Sequence, residues 1–441
     1  MGASVDVATA KPPAAGPRTK GRLIELDVAR GFALLGIVLV NVDFFAIPFG
    51  AMQLGGPFEA GTLPLAAWVA VSIFCTGKFY PLFAMLFGMG AVLQRDSIEG
   101  RGGSYVAVGL RRMLILAFIG LVHATALWYG DILLSYATAG FVLVLVAGWR
   151  PRSLWVAGAI VTAGALVIVA AMSLMIPPGA IGDPIVLLEE ARSDELSAEV
   201  QENPLHTAME RFGELEGDFS APLFLAAEAR AYREGPLLDA LGFRAVAFLL
   251  MILTGVAGGW WIILGLFFFG AGLMRWGLFD EEREVWFTRF LVLAMAVGLP
   301  LSAASVVMQR SASSAVAGLG LVLTAVAGPI VALGYLSAWV IVVRAGWLPG
   351  VVRALASTGR LALTNYLMQS VVLGAFFYHW GFGRFGTVPG HQRVLLALAL
   401  FLLQVAFSSW WVRRFHFGPM EWLWRWATYG QRPTFRRAPS S

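Results

Sequence analysis

The chain has one cysteine in 441 residues, Cys75, which excludes an intrachain disulfide framework and any multi-cysteine metal site. Histidine is almost as scarce: His206, His379, His391 and His416 stand too far from His123 and from one another for a metal-ligand spacing, so no metal is expected. No Gly-rich phosphate loop, zinc spacing or nucleophile elbow occurs anywhere. Charge is sparse, with Asp, Glu, Lys and Arg making up 13% of residues against 58% hydrophobic and a mean hydropathy of +0.74. That balance rules out a soluble domain and predicts an all-α polytopic integral membrane protein.

What is present is a series of apolar runs, each long enough to cross about 30 Å of hydrocarbon. They fall at 31–48, 64–94, 113–129, 132–149, 154–176, 245–276, 286–308, 315–343, 361–380 and 394–412, giving about ten crossings. Lys and Arg in the short loops set the orientation. Arg95, Arg101, Arg111, Arg112, Arg150, Arg152, Arg275, Arg283, Arg344, Arg353 and Arg360 fall on one side with the C-terminal arginines, and Arg310, Arg384 and Arg393 are outnumbered on the other. Both termini are therefore expected in the cytoplasm, and the net charge of +5 reads as a topology signal and does not argue for nucleic-acid binding.

Residues 1–29 read as a disordered basic tail, 30–176 and 241–412 as two membrane halves, and 413–441 as a Trp-rich interfacial helix and tail. Between 177 and 240 fourteen acidic residues face four basic ones, so this insert is expected outside the cytoplasm as short amphipathic helices over 185–202 and 205–216, either a solvated linker or a lid. Two apolar segments, 64–94 and 236–276, are too long for one straight crossing. Plausible breaks lie at Thr76-Gly77-Lys78 and at Gly255–Gly259.

Ionisable groups inside such runs are costly and point to function. His123 lies within the stretch from Met113 to Tyr129, which ends at Asp131, so a histidine and a carboxylate on neighbouring helices make a candidate acid/base pair. Lys78 is expected midway along the second crossing, with Asp43 and Asp131 as candidate counter-ions. Asn365 and Gln369 share a face of the ninth crossing with Arg360 a turn and a half earlier, a polar stripe that suits either a pathway or interhelical hydrogen bonding. Arg30 at the mouth of the first helix suits either donor phosphates or an ion pair with Asp27. Glu421 and Arg425, four apart, suit an interfacial helix.

Five ordered elements resemble the YeiB-like family of membrane proteins (domain of unknown function 418). They are Leu26-Asp27-x-x-Arg30-Gly31-Phe32, Gly77-Lys78-Phe79-Tyr80, His123 followed by Trp128-x-Gly130-Asp131, Gly359-Arg360-x-Ala362-Leu363-Thr364-Asn365-Tyr366-x-x-Gln369-Ser370, and Phe417-Gly418-Pro419-x-Glu421-Trp422-Leu423-Trp424-Arg425. The Asp27-x-x-Arg30-Gly31 start is also similar to that of the transmembrane acyltransferase superfamily. Many O-acyltransferase members of that superfamily carry a histidine eleven residues after the arginine, where this chain has Asn41. The resemblance implies acyl transfer from a cytosolic acyl-CoA, bound near Arg30 and Arg360, to a glycan, lipid or small-molecule acceptor outside or within the membrane. Acyl transfer needs a base and an oxyanion donor. His123 fits the base, Asp131 or Asp43 its orienting carboxylate, and Asn41 the donor. The buried Lys78, His123, Asp131, Asn365 and Gln369 equally suit a proton-coupled solute transporter, and the acidic insert suits a non-catalytic scaffold or sensor.

Overall fold

The computed structural model describes residues 23–174, 183–200, 203–215, 217–311 and 313–437. The expected tail lies outside these up to residue 22. From there the helix begins sooner than the boundary at 30, because Leu26, Val28 and Ala29 are buried against the rest of the bundle. The first half comprises α1 (Ile24–Ala46), a short α2 (Phe49–Leu54), α3 (Thr62–Phe74), α4 (Phe79–Glu99), α5 (Tyr105–Val122), α6 (Leu133–Val146) and α7 (Pro151–Leu174). The insert is helical as expected, in α8 (Pro184–Glu190), α9 (Asp194–Glu199), α10 (Pro204–Glu210) and α11 (Pro222–Glu234). The second half runs through α12 (Leu237–Thr254), α13 (Trp260–Trp276), α14 (Val285–Leu293), α15 (Leu299–Gln309), α16 (Ser314–Arg344), α17 (Pro349–Arg360), α18 (Ala362–Phe377), α19 (Gly390–Arg414) and the terminal α20 (Pro419–Tyr429).

All ten expected runs fall on helices. Among the described residues eight helical stretches are long and apolar enough to cross a membrane, and α6, α13 and α18 are shorter apolar helices. Among the described residues there is no β-strand beyond one isolated bridge, Phe415 to Arg436. Large apolar side chains such as Phe118, Ile160, Val167 and Leu403 point outward, each about two-thirds exposed, as lipid-facing positions do. The molecule is a polytopic α-helical membrane protein.

Both expected breaks are present. The chain between α3 and α4 turns at Gly77, whose φ of 77° favours a residue without Cβ. At the other break, Gly255–Gly259 forms a π-helical turn between α12 and α13. A further π turn, His123–Leu127, continues α5, and its wider ring is closed by the Trp128 amide donating to the His123 carbonyl. The Ala126 carbonyl in that turn accepts from the Arg244 guanidinium of α12 at 2.5 Å, so a buried cation satisfies backbone that an unbroken α-helix would have paired internally.

The two ends of the bundle differ in chemistry. At one end Arg275 reaches Asp96 and the Ala147 carbonyl, Arg344 reaches Glu25 and Glu284, and Trp424 of α20 reaches the Arg112 carbonyl. At the other the insert packs onto the chain after α1, where Glu228 accepts from the Phe49 amide and the His379 amide donates to the Tyr232 carbonyl. Two apolar cores fill the interior. One is built on α4, α5, α6, α7 and α13, the other on α1, α18, α19 and the insert.

Candidate functional site

His123 is 1% exposed and makes two hydrogen bonds, each 2.7 Å. Nδ1 meets Asp131 Oδ2, and Nε2 meets Ser370 Oγ on α18. The second Asp131 oxygen accepts from the Leu134 amide at 2.7 Å, capping the first turn of α6 and locking the carboxylate in place. A carboxylate can only accept from Nδ1–H, which leaves the Nε2 lone pair facing Ser370 and makes the hydroxyl the donor. Asp131, His123 and Ser370 thus form a carboxylate–imidazole–hydroxyl chain that joins the segment before α6, the π turn after α5, and α18.

The seam between the two cores opens into a cavity of about 480 Å³. Arg30, Arg101, Arg112, Arg360 and Arg425 line it, with Glu421 as its one carboxylate. Apolar walls from Leu34, Leu86, Met113 and Leu143 follow, and Phe83, Ile132, Leu133 and Tyr366 line its deeper part. Along α4 the lining runs from Ile98 back to Phe83, a slot on the order of 20 Å long at about 1.5 Å per residue. Tyr366 stands between this slot and the buried chain. Its ring centroid is 5.2 Å from that of His123, it lies one helical turn before Ser370, and its buried hydroxyl, beside the Ile132 amide, makes no well-formed hydrogen bond.

The arginine mouth is organised by two glycines that the sequence elements contain. A Cβ on Gly31 would overlap the Leu355 carbonyl oxygen, and one on Gly359 would overlap that of Asp27. Only bare backbones let α1 and α17 approach so closely, and the approach sets Arg30 and Arg360 on one rim. Arg30 pairs with Asp27 at 3.2 Å, Arg112 lies 3.9 Å over the Trp424 ring, and Arg425 stacks on Phe417 and Tyr429. Glu421 does not pair with Arg425. Its carboxylate accepts from the Leu363 and Thr364 amides and the Thr364 hydroxyl, capping α18, while burial pushes its pKa up against those bonds.

Other sequence candidates stand apart from His123. Asn41 is half-buried on α1, and no hydrogen bond links it to His123, Asp131 or Ser370. Asp43 is held by Arg393, 2.6 Å away, which also grips Glu59 at 2.6 Å, so it is not the carboxylate that orients His123. Neither Asp43 nor Asp131 is the partner of Lys78. The ammonium folds back to the Ser72 carbonyl at 2.8 Å, where the negative end of α3 receives a cation favourably. Asn365 and Gln369 face α19 and α1 rather than the cavity: Asn365 donates to Ser408 and the Thr358 carbonyl, and Gln369 to Gln404 and the Leu34 carbonyl. The stripe that reaches the site is Tyr366 and Ser370, one position round the helix.

Near the insert end a second cavity of about 790 Å³ is lined by Ile47, Phe58 and Arg393 together with Arg192, Arg230 and Glu234 of the insert. The ring of Trp128 stacks on that of Phe45 at 4.4 Å and lies 6.2 Å from that of His123, and Ala46 and Ile47, which follow Phe45 in the chain, line this cavity.

The fold and this buried chain define a polytopic helical membrane protein with a paired histidine and aspartate at the head of a basic slot. Residues 273–431 match the family described as "Protein of unknown function (DUF418)". Over 426 residues the chain is 27% identical to the uncharacterized protein YxaH of Bacillus subtilis, covering 93% of this chain and 95% of that one. Over 417 residues it is 28% identical to the uncharacterized protein YeiB of Escherichia coli, covering 92% and 95%. The chain is thus a polytopic membrane protein similar along nearly its whole length to YxaH and YeiB, and its C-terminal part carries the DUF418 match.

Proposed function

We propose that this protein is a membrane acyltransferase, taking an acyl group from an acyl-CoA-type donor at its arginine-rich end and passing it to an acceptor that enters from the insert end. One observation carries the reading: a single slot leads from five guanidinium groups to the wall in front of the His123–Asp131 pair. Guanidinium groups bind phosphate oxygens in forked geometry, and the apolar walls suit a flexible thioester-bearing arm. His123 then serves as the base for the acceptor proton, oriented by Asp131, and Tyr366 rather than Asn41 is placed to donate to the carbonyl oxygen as charge develops. The larger cavity beside the insert is the acceptor's entry, and a lipid, glycan or small hydroxyl- or amine-bearing molecule fits its mixed lining.

The positive-inside rule puts the arginine end, and with it both termini, in the cytoplasm of a bacterial cell. That is the side on which acyl-CoA is made. A small-solute transporter is the weaker reading, since a long slot with a cationic mouth is poorly matched to a compact neutral solute and Lys78 does not line it.

The test is binding and cleavage of acetyl-CoA and longer acyl-CoAs by purified protein, with free thiol as the readout. Wild type is expected to release CoA, Arg425→Ala to raise the donor KM, and His123→Ala to abolish release while retaining binding. Absence of binding across all donors sinks the proposal, and solute flux without thioester loss moves it to transport.

A further inference from the structure

The buried hydroxyl that ends the hydrogen-bonded chain has no part in a direct transfer from donor to acceptor. From its geometry, and resting on the acyltransferase reading above, we infer that Ser370 is the acyl-carrying nucleophile and that transfer passes through a seryl ester. Asp131 Oδ2, His123 and Ser370 Oγ are linked by two bonds of 2.7 Å, and the serine is 2% exposed. This is the carboxylate–imidazole–hydroxyl constellation that activates serine on unrelated folds, and it is recognised by geometry and not by chain order. A merely structural serine within an apolar helix normally satisfies itself on the carbonyl one turn back, as Thr125, Thr138 and Thr254 do here. Ser370 instead spends its bond on an imidazole whose other nitrogen is fixed by a capped carboxylate.

Two further features place the hydroxyl within reach of a donor. Tyr366, one turn away on the same helix, lines the slot, so rotation of that ring opens the path from slot to Ser370 and brings its unpaired hydroxyl to the reacting carbonyl. His123 opens a π-helical turn, an irregularity frequent at functional sites, and of the π turns described it is the one that carries an ionisable side chain. Chemically, Ser370 Oγ attacks the thioester carbonyl as its proton moves to His123 Nε2. The C–S bond breaks, and the imidazolium returns the proton to the departing thiolate, leaving free CoA and an ester on Oγ. An acceptor hydroxyl or amine then attacks that ester, gives its proton to His123, and Ser370 leaves with the same proton restored. The ester intermediate lets donor and acceptor use opposite ends of the molecule without occupying the site together.

The deciding experiment uses the full-length protein in lipid nanodiscs with isotope-labelled acetyl-CoA and long-chain acyl-CoA, first without acceptor. Expected is a burst of CoA approaching one equivalent per protein, with the label retained covalently and mapped by mass spectrometry to Ser370. Ser370→Ala should keep donor binding and the folded state, with a modest fall in melting temperature for the imidazole nitrogen it leaves unpaired, but lose burst and label. Ser370→Cys should recover a label released by neutral hydroxylamine, as a thioester is. Steady CoA release from Ser370→Ala, or a label confined to His123, overturns the serine assignment and leaves the acyltransferase reading standing. No CoA release from wild type with any donor, before or after membrane extract is supplied as acceptor, overturns both.

Discussion

Asp131 performs two tasks with one carboxylate, and its variants separate them. Asp131→Asn keeps an acceptor for the Leu134 amide but offers an amide hydrogen to Nδ1, which forces the imidazole into the tautomer with Nε2–H facing Ser370. CoA release is expected to fall by on the order of 10²- to 10⁴-fold with little change in melting temperature. Asp131→Ala should lose both activity and stability, since two buried donors then go unpaired at about 1–3 kcal/mol each. Equal loss of melting temperature in the two variants would contradict the tautomer argument. A second carboxyl, Glu228 of the insert, is buried against the Phe49 amide, and burial pushes its pKa from 4.5 up to about 8. The native state therefore holds a proton that the unfolded chain has already released, so stability falls as pH rises from about 4.5 to about 8 and is flat above. Melting temperature measured from pH 5 to pH 8 should decline in wild type, and Glu228→Gln should flatten the curve. Of these residues, His123 and Asp131 were legible in the sequence because an imidazole in an apolar run demands a partner. Ser370 stood at the end of a recognisable element but had no role there, because a serine in an apolar helix signals nothing by itself, and only the register of α18 against α5 decides that Tyr366 and Ser370, not Asn365 and Gln369, meet the site.

At the scale of helices, most of the fold was written in the sequence. Apolar length marked the crossings, and Gly-rich or Lys-bearing interruptions marked both broken segments. The amphipathic α17 was hidden, because its twelve residues are too short and too mixed to stand out beside membrane runs, although the glycine at its end is part of a recognisable element. That glycine gives a test. A methyl at Gly359 meets the Asp27 carbonyl, whereas one at Gly350, on the same helix, meets nothing within 4 Å. Gly359→Ala should destabilise by about 1–3 kcal/mol, the usual cost of forcing volume into a packed contact, and should raise the donor KM by spreading Arg30 from Arg360. Gly350→Ala should match wild type or exceed it, through the better helix propensity of alanine. Comparable melting temperatures for the two would mean that α1 and α17 are not pressed together at the mouth.

For the whole molecule, the decisive property is polarity between its ends: arginines and the slot mouth at one, the acidic insert and the larger cavity at the other. A transfer that enters at one end and leaves at the other works only if those ends face different compartments, so sidedness is the strongest test of the reading. Cys75 is the one native cysteine and is buried, which makes a cysteine-free background by Cys75→Ala a small change. Thr434→Cys, beyond α20, and Ser197→Cys, in α9, are both at exposed positions. With a membrane-impermeant maleimide on intact cells, Ser197→Cys should label directly and Thr434→Cys only after the membrane is opened. In sealed vesicles the donor should be consumed when it is presented to the Thr434 side and not when it is presented to the Ser197 side. The reverse labelling pattern would put the guanidinium groups on the side away from acyl-CoA, and the slot would then have to serve a different anionic molecule.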